Sequence, residues 1–426
     1  MSEPKDAIEG LAKGENRALP KSFYGLNIAQ FFGALNDNLY KLLVIYLFID
    51  LEGIENSYEI LSLAGSIFVI PFLLFAAISG QAADKLSKSR LIVGTKVFEV
   101  FISLLGILSI YLQSKVFCFI SLFLYAFQST IFGPSKYGIL PEIVPKNLLS
   151  KANGVLTAFT YLAIIAGTFL ASFILDVTDR SYLSGGAFCL IFSLIGLIGS
   201  LFIKTTLPVD PQKRLKPVFI GEIIKTLFDI KVFPPLLTII FASSFFLLIA
   251  AFVQLNLIPF AVTELKLTDT EGGYLFLLCA IGIAIGSYTI GWLSGKNILL
   301  AAVPVACFML AILFFLLDFF SNNLMLSALF IFGLGSIGGI YQIPLDAYIQ
   351  LKSPNNQRGA VIAANSFLSF VGVLIASFLV YAIKEIINVG PDRGFTLIGI
   401  LTLIFSAYLA NVIGKKVERE AHQEGN

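Results

Sequence analysis

Twelve apolar runs, each long enough to cross a bilayer as a helix, leave this chain few folds to choose from. They fall at about 22–49, 58–83, 91–112, 116–135, 153–176, 184–204, 232–262, 270–294, 298–318, 322–345, 359–386 and 394–414. Hydrocarbon offers no water to peptide N–H and C=O groups, so a spanning segment is either a helix or part of a closed barrel. These runs have the length of spanning helices. The chain is therefore an all-α polytopic membrane protein. Its composition agrees, with 57% hydrophobic and 13% charged residues against about 25% charged in soluble domains.

One long polar interruption divides the runs six and six. Residues 205–231 carry Pro208, Pro211 and Pro217, followed by an amphipathic stretch from Gly221 to Phe228 suited to a membrane surface. The expected organisation is a tail at 1–21, a six-helix bundle at 22–204, a linker at 205–231, a second bundle at 232–414 and a tail at 415–426. Residues 1–21 lack the apolar core of a cleaved leader. With both termini in the cytoplasm, most basic residues fall inside, including Lys85, Lys88, Arg90, Lys136, Lys146, Lys151, Lys213, Arg214, Lys216, Lys231 and Lys296. Only Lys115, Arg180, Lys266, Lys384 and Arg393 fall outside, which the positive-inside rule favours.

The halves also echo each other. Gly80-Gln81-Ala82-Ala83-Asp84-Lys85 recurs loosely as Gly291-Trp292-Leu293-Ser294-Gly295-Lys296, Pro134 as Pro344, and Asn153 as Asn365, each about 211 residues on. Three matches in order argue for two parallel six-helix repeats.

Within the first run, Asn27, Gln30, Ala34, Asp37 and Lys41 recur at steps of three and four and form one polar seam on a helix. An ionised side chain at the centre of a spanning helix opposes insertion by roughly 2.5–3.5 kcal/mol, so the seam should face a cavity or another helix. Asp37 and Lys41, one turn apart, either neutralise each other for packing or serve a substrate pathway. Asn36 and Asn38 add amides beside them. In the third run, Lys96 and Glu99 are spaced to pair on one face, as a structural pair or a substrate contact. Asn153, Thr157 and Tyr161 share a face of the fifth, suited to inter-helix hydrogen bonds or head-group contact. Pro134, Gly138 and Pro141 are expected to disrupt the helix that carries Lys136 and Glu142, where a cytoplasmic gate would form.

The loop Gly80-Gln81-Ala82-Ala83-Asp84-Lys85-Leu86-Ser87-Lys88-Ser89-Arg90 resembles the signature between helices two and three of the major facilitator superfamily. Gly80 would admit a close helix, Asp84 would cap or charge-pair across the half interface, and Lys85 and Arg90 would hold the loop inside. The glycine expected after the basic residue is replaced here. Two further segments resemble the bacterial lysophospholipid transporters within that superfamily. They are Phe31-Phe32-Gly33-Ala34-Leu35-Asn36-Asp37-Asn38-Leu39-Tyr40-Lys41, and Phe132-Gly133-Pro134-Ser135-Lys136-Tyr137-Gly138-Ile139-Leu140-Pro141-Glu142 followed by Lys151-Ala152-Asn153-Gly154.

The resemblance implies a carrier moving lysophospholipids, such as lysophosphatidylethanolamine, inward across the bacterial inner membrane by alternating access. A zwitterionic head would meet Asp37 through its ammonium and Lys41, Lys96 or Lys136 through its phosphate. The residues set against substrate are Gln30, Asn36, Asp37, Asn38, Lys41, Lys96, Glu99 and Asn153, and those set at a gate are Asp84, Lys85, Arg90, Lys136 and Glu142. One departure stands out. The family's seventh helix would offer a cation to Asp37, but Phe241 to Asn256 contains none.

The competing reading is a proton-coupled facilitator that exports hydrophobic drugs or imports a polar solute, with Asp37 as its proton site. A membrane enzyme is disfavoured by the absence of a His-x4-Asp pattern, a nucleophile elbow or clustered histidines. Cys118, Cys189, Cys279 and Cys307 lie in apolar runs without metal-ligand spacing, and the single histidine, His422, sits in the C-terminal tail. No cofactor, metal or nucleic acid is expected. The expected partners are the lysophospholipid, membrane lipids and a separate acyltransferase acting downstream on a monomeric carrier.

Overall fold

The computed structural model describes residues 18–53, 56–212, 215, 219–230, 234–267, 269–294 and 298–424. Lys213, Arg214, Lys216, Pro217, Lys231, Gly295 and Lys296 from the sequence expectations lie outside them. Six helices form the first half: α1 (Lys21–Glu52), α2 (Ser57–Lys85), α3 (Lys88–Tyr111), α4 (Lys115–Ile143), α5 (Leu149–Val177) and α6 (Tyr182–Leu201). A short helix, α7 (Phe219–Asp229), precedes α8 (Pro234–Thr263), α9 (Asp269–Leu293), α10 (Ala302–Phe319), α11 (Leu324–Lys352), α12 (Arg358–Tyr381) and α13 (Pro391–Glu424). Among the described residues, all of these but α7 are long and apolar enough to span a membrane, twelve in number.

Several helix starts are capped as their sequences dictate. Ser87 Oγ accepts the Arg90 N–H at the start of α3, and Asn323 Oδ1 accepts the Leu326 N–H at the start of α11. The helix α4 does not break where its prolines suggested. It runs on through Pro134, Gly138 and Pro141 to Ile143, because Pro134, Gly138 and their neighbours are buried against other helices, which supply the packing that a lone kinked helix would lack.

Each half has its own core. Leu39, Tyr40, Leu43 and Tyr125 anchor the first, and Phe252, Phe260, Phe314 and Phe395 the second. Large apolar side chains such as Phe101, Phe169, Phe308 and Phe378 point outward, as a lipid-solvated surface requires. The helix α7 packs Ile223 and Leu227 against Ala77 of α2 and Ala364 of α12, and turns Ile220, Ile224 and Phe228 outward.

The halves meet along two crossings, α2 with α12 and α5 with α9. Both close most tightly at the end of the bundle where α1 begins and α13 ends. At the second crossing a Cβ on Gly154 would stand 2.4 Å from the Ser287 carbonyl oxygen and 3.0 Å from Gly291 Cα, so the backbones touch where only glycine fits. Gly154→Ala is accordingly expected to destabilise the protein by about 1–3 kcal/mol through overpacking, measured as a lower melting temperature in detergent. Gly94→Ala, whose Cβ would meet nothing within 4 Å, is the matched control and should not destabilise.

Polar contacts reinforce the same end. Asp84, fully buried, accepts the Gly359 N–H at 2.6 Å through Oδ1 and the Ala360 N–H at 3.1 Å through Oδ2. A carboxylate there satisfies amides that the first turn of α12 cannot bond internally and complements the helix dipole. Asn153 of α5 and Gln350 of α11 form a reciprocal amide pair, with N···O distances of 3.0 and 2.8 Å.

Candidate functional site

Beyond these contacts, on the axis between the halves, lie two adjoining cavities of about 210 and 240 Å3. They share Tyr137, Ser366 and Phe370 in their walls and read as two lobes of one chamber. The first lobe belongs mainly to α1–α4. There the polar seam of α1 turns Gln30 and Asp37 inward, α3 contributes Lys96, and α4 contributes Gln128, Ser129 and Lys136.

The buried centre of this lobe is a charge network. Lys96 Nζ donates to Glu99 Oε2 at 2.6 Å, with both side chains essentially without solvent exposure. Glu99 also accepts from Gln128 Nε2 at 3.2 Å and, through Oε1, from Asn36 Nδ2 at 3.2 Å. Asn36 in turn donates to the Cys189 carbonyl of α6 at 2.9 Å. Such bonding is what a buried ion pair needs to offset its desolvation. Gly33 faces the pair, and a Cβ there would stand 2.3 Å from Lys96 Nζ, so any other residue would push the ammonium aside.

Asp37 meets this network only through Ser129, whose Oγ lies 3.2 Å from Gln128 Oε1. Its Oδ2 accepts from Ser129 Oγ at 2.6 Å, while its buried Oδ1 has no partner. No cation among the described residues forms a salt bridge with it. Lys136 is in the complementary position. Its Nζ sits 4.5 Å from the Tyr137 ring centroid and 6.0 Å from that of Phe132, with no salt-bridged carboxylate among the described residues. The first lobe thus holds a neutralised pair, an open carboxylate and an open ammonium.

The other expected contacts fall elsewhere. Asn36 and Glu99 stand behind Lys96. Asn38 and Lys41 turn away from the chamber, Lys41 reaching Asn38 Oδ1 at 3.4 Å and lying 5.1 Å from the Phe68 ring centroid. The one-turn Asp37–Lys41 pairing left open by the sequence does not form. Asn153 serves the contact between the halves described above. Gln30 lines the lobe while tying α1 to α5, accepting from Thr160 Oγ1 at 2.7 Å and donating to the Leu156 carbonyl at 3.3 Å.

Of the residues expected at a gate, Asp84, Lys85, Arg90 and Glu142 cluster at the closed end. Asp84 spans the halves, Glu142 pairs with the buried Lys88 at 2.7 Å, Lys85 is half-buried and Arg90 is exposed. Lys136 lines the chamber instead. Sequence reading passed over Gln128 and Ser129, whose polarity is unremarkable in isolation. It also gave no role to Gln342 and Asp346, which gather with Ser243 and Asn365 in the second lobe. The charge of Asp346 at the very end of an apolar run was the available signal, by reasoning close to that which singled out Asp37. Among the described residues no cluster of His, Cys, Asp and Glu is arranged to hold a metal.

The chain resembles known proteins over most of its length. It is 26% identical over 337 residues to the "Lysophospholipid transporter LplT" of Pectobacterium carotovorum subsp. carotovorum (strain PC1), covering 78% of this chain and 79% of that protein. It is 25% identical over 392 residues to the protein of the same name from Enterobacter sp. (strain 638), covering 88% and 92%. Among solved structures, the human organic anion transporter MFSD10 superposes with a TM-score of 0.75 at 16% identity, over 93% of this chain and 99% of that one. A bacterial homologue of the iron transporter ferroportin in its outward-facing state superposes at 0.69 and 14% identity, over 92% and 98%. The sequence profile of the Major Facilitator Superfamily matches residues 26–377, and with its twelve spanning helices in two six-helix repeats around one chamber, the chain belongs to that superfamily.

Proposed function

We propose that this protein is a secondary carrier that moves lysophospholipids, lysophosphatidylethanolamine among them, inward across a bacterial inner membrane by alternating access. The observation that carries the reading is the chamber between the halves, where Asp37 and Lys136 each lack a salt-bridge partner while Lys96 is neutralised by Glu99. Fixed charges of both signs, left open and largely desolvated, complement a zwitterionic head group. Phe72, Phe246 and Phe370 in the walls give the acyl chain an apolar surface. The names of the relatives above support the same substrate class.

Both termini are assigned to the cytoplasm on the distribution of Lys and Arg. The closed end is then the cytoplasmic one, with Asp84, Lys85, Arg90 and Glu142 at its gate, and the chamber waits on substrate from the outer side. The two bundles are taken as 22–204 and 232–414, joined by 205–231. The carrier works as a monomer and performs no covalent chemistry, leaving reacylation to a separate acyltransferase. An unpaired, buried Asp37 is also what a proton site needs, which keeps proton-coupled transport of a drug or polar solute as the rival account.

Uptake separates them. Spheroplasts lacking their own lysolipid transporter should accumulate labelled lysophosphatidylethanolamine when this protein is expressed and not with an empty vector. Absence of uptake by protein that is well expressed in the membrane would sink the lipid assignment.

A further inference from the structure

The second lobe carries open acceptor oxygens and no cation of its own. Gln342 Nε2 donates to Asp346 Oδ1 at 2.7 Å and to Ser243 Oγ at 2.8 Å. An ionised carboxylate only accepts, so this bond fixes the amide with its nitrogen toward Asp346. Gln342 Oε1 is thereby left as a buried acceptor without a donor, and Asn365 Oδ1 is in the same state. Both residues line the lobe, where no Lys or Arg does. Buried acceptors left open are uncommon, since each forfeits a hydrogen bond it had in water.

The nearest cation stands on the facing wall. Lys136 and Asp346 are within electrostatic reach across the chamber but do not form a salt bridge among the described residues. They are also equivalent positions of the repeat, because Pro134-Ser135-Lys136 and Pro344-Leu345-Asp346 are separated by the same interval that relates the two halves. The duplication has thus placed an ammonium in one half opposite a carboxylate in the other, with a gap between them.

We propose that the second lobe is an ammonium subsite, in which Asp346 binds the primary ammonium of a zwitterionic head group while Gln342 Oε1 and Asn365 Oδ1 accept its N–H groups. The phosphate of the same head group sits on Lys136. This rests on the lysophospholipid reading and extends it, because the head group then bridges the halves. A substrate with both charges satisfies both walls, whereas an anionic head satisfies Lys136 and offers Asp346 only neutral hydroxyl donors, which leave its charge unmatched.

The test compares labelled lysophosphatidylethanolamine and lysophosphatidylglycerol in the spheroplast assay. Wild type should prefer the ethanolamine lipid. Asp346→Asn should lower its uptake roughly 10–100-fold, the worth of one charge-assisted bond, and lower lysophosphatidylglycerol uptake by less than about tenfold, because the asparagine oxygen still accepts a hydroxyl. Asn365→Leu, which removes a neutral acceptor, should give the same selectivity with a smaller loss. Equal loss of both lipids in both variants, or unchanged ethanolamine-lipid uptake in both, overturns the subsite. Wild type that moves neither lipid removes the function reading beneath it, an outcome distinct from either of these.

Discussion

Replacing Lys96 with methionine is expected to destabilise the protein by about 3–5 kcal/mol, a larger loss than any other charge in the chamber should give. The cause is the carboxylate left behind. Glu99 is completely buried, and without the Lys96 ammonium at 2.6 Å its charge would rest on the amides of Asn36 and Gln128 alone. Glu99→Gln in the same chain removes the stranded charge, so Lys96→Met with Glu99→Gln should recover most of the loss. Thermal unfolding of the purified single and double variants in detergent reads this as a coupling energy. Additive losses would show that the two residues do not depend on each other. The pair also explains why Lys96 is a poor candidate for the main phosphate contact despite lining the chamber, since its charge is already matched.

Asp37→Asn should behave in the opposite way, lowering transport while sparing stability. The substitution is nearly isosteric and can keep the hydroxyl bond from Ser129, but it removes a buried charge that has no salt bridge among the described residues and one oxygen without a partner. Uptake of lysophosphatidylethanolamine is expected to fall roughly 10–100-fold, as when a charge-assisted contact to a ligand is lost. The melting temperature should stay level or rise, because a neutral amide is easier to bury than an unpaired carboxylate. Normal uptake by the variant would confine Asp37 to packing. A fall in both uptake and melting temperature would make its role structural. The contrast with Lys96 follows from one physical difference, that one buried charge is matched inside the protein and the other is left for something outside it.

The architecture was legible because hydrocarbon enforces it. Each apolar run became a helix, since no other backbone arrangement within a run of that length satisfies its own hydrogen bonds. The ends of the helices were less legible. The fourth apolar run ends at Ser135, yet α4 continues to Ile143, and the tenth ends at Leu345, yet α11 continues to Lys352. In both cases the polar residues that end the apolar run face the chamber or the opposite half and not lipid, so hydropathy falls while the helix goes on.

The site was legible wherever one charge stood alone in an apolar run. Asp37 could be found that way, and the Lys96–Glu99 spacing already allowed the pairing that the structure shows. What sequence could not supply was the partner from another helix. Nothing local to Asp84 says that it reaches the amides of Gly359 and Ala360, and nothing local to Asn153 says that it faces Gln350 and not substrate. Lys41 was misleading for the same reason. Its spacing from Asp37 is right for a helical pair, but the ammonium instead lies over Phe68 on α2.

Passage of a lysophospholipid across the bilayer through this protein can be measured directly. Purified protein reconstituted into liposomes, with a fluorescent lysophosphatidylethanolamine added to the outer leaflet, tests it without other cellular components. Lipid that reaches the inner leaflet escapes a membrane-impermeant quencher, so protein-dependent protection that is lost in Asp37→Asn is the expected result. Protection no greater than in protein-free liposomes would contradict the account.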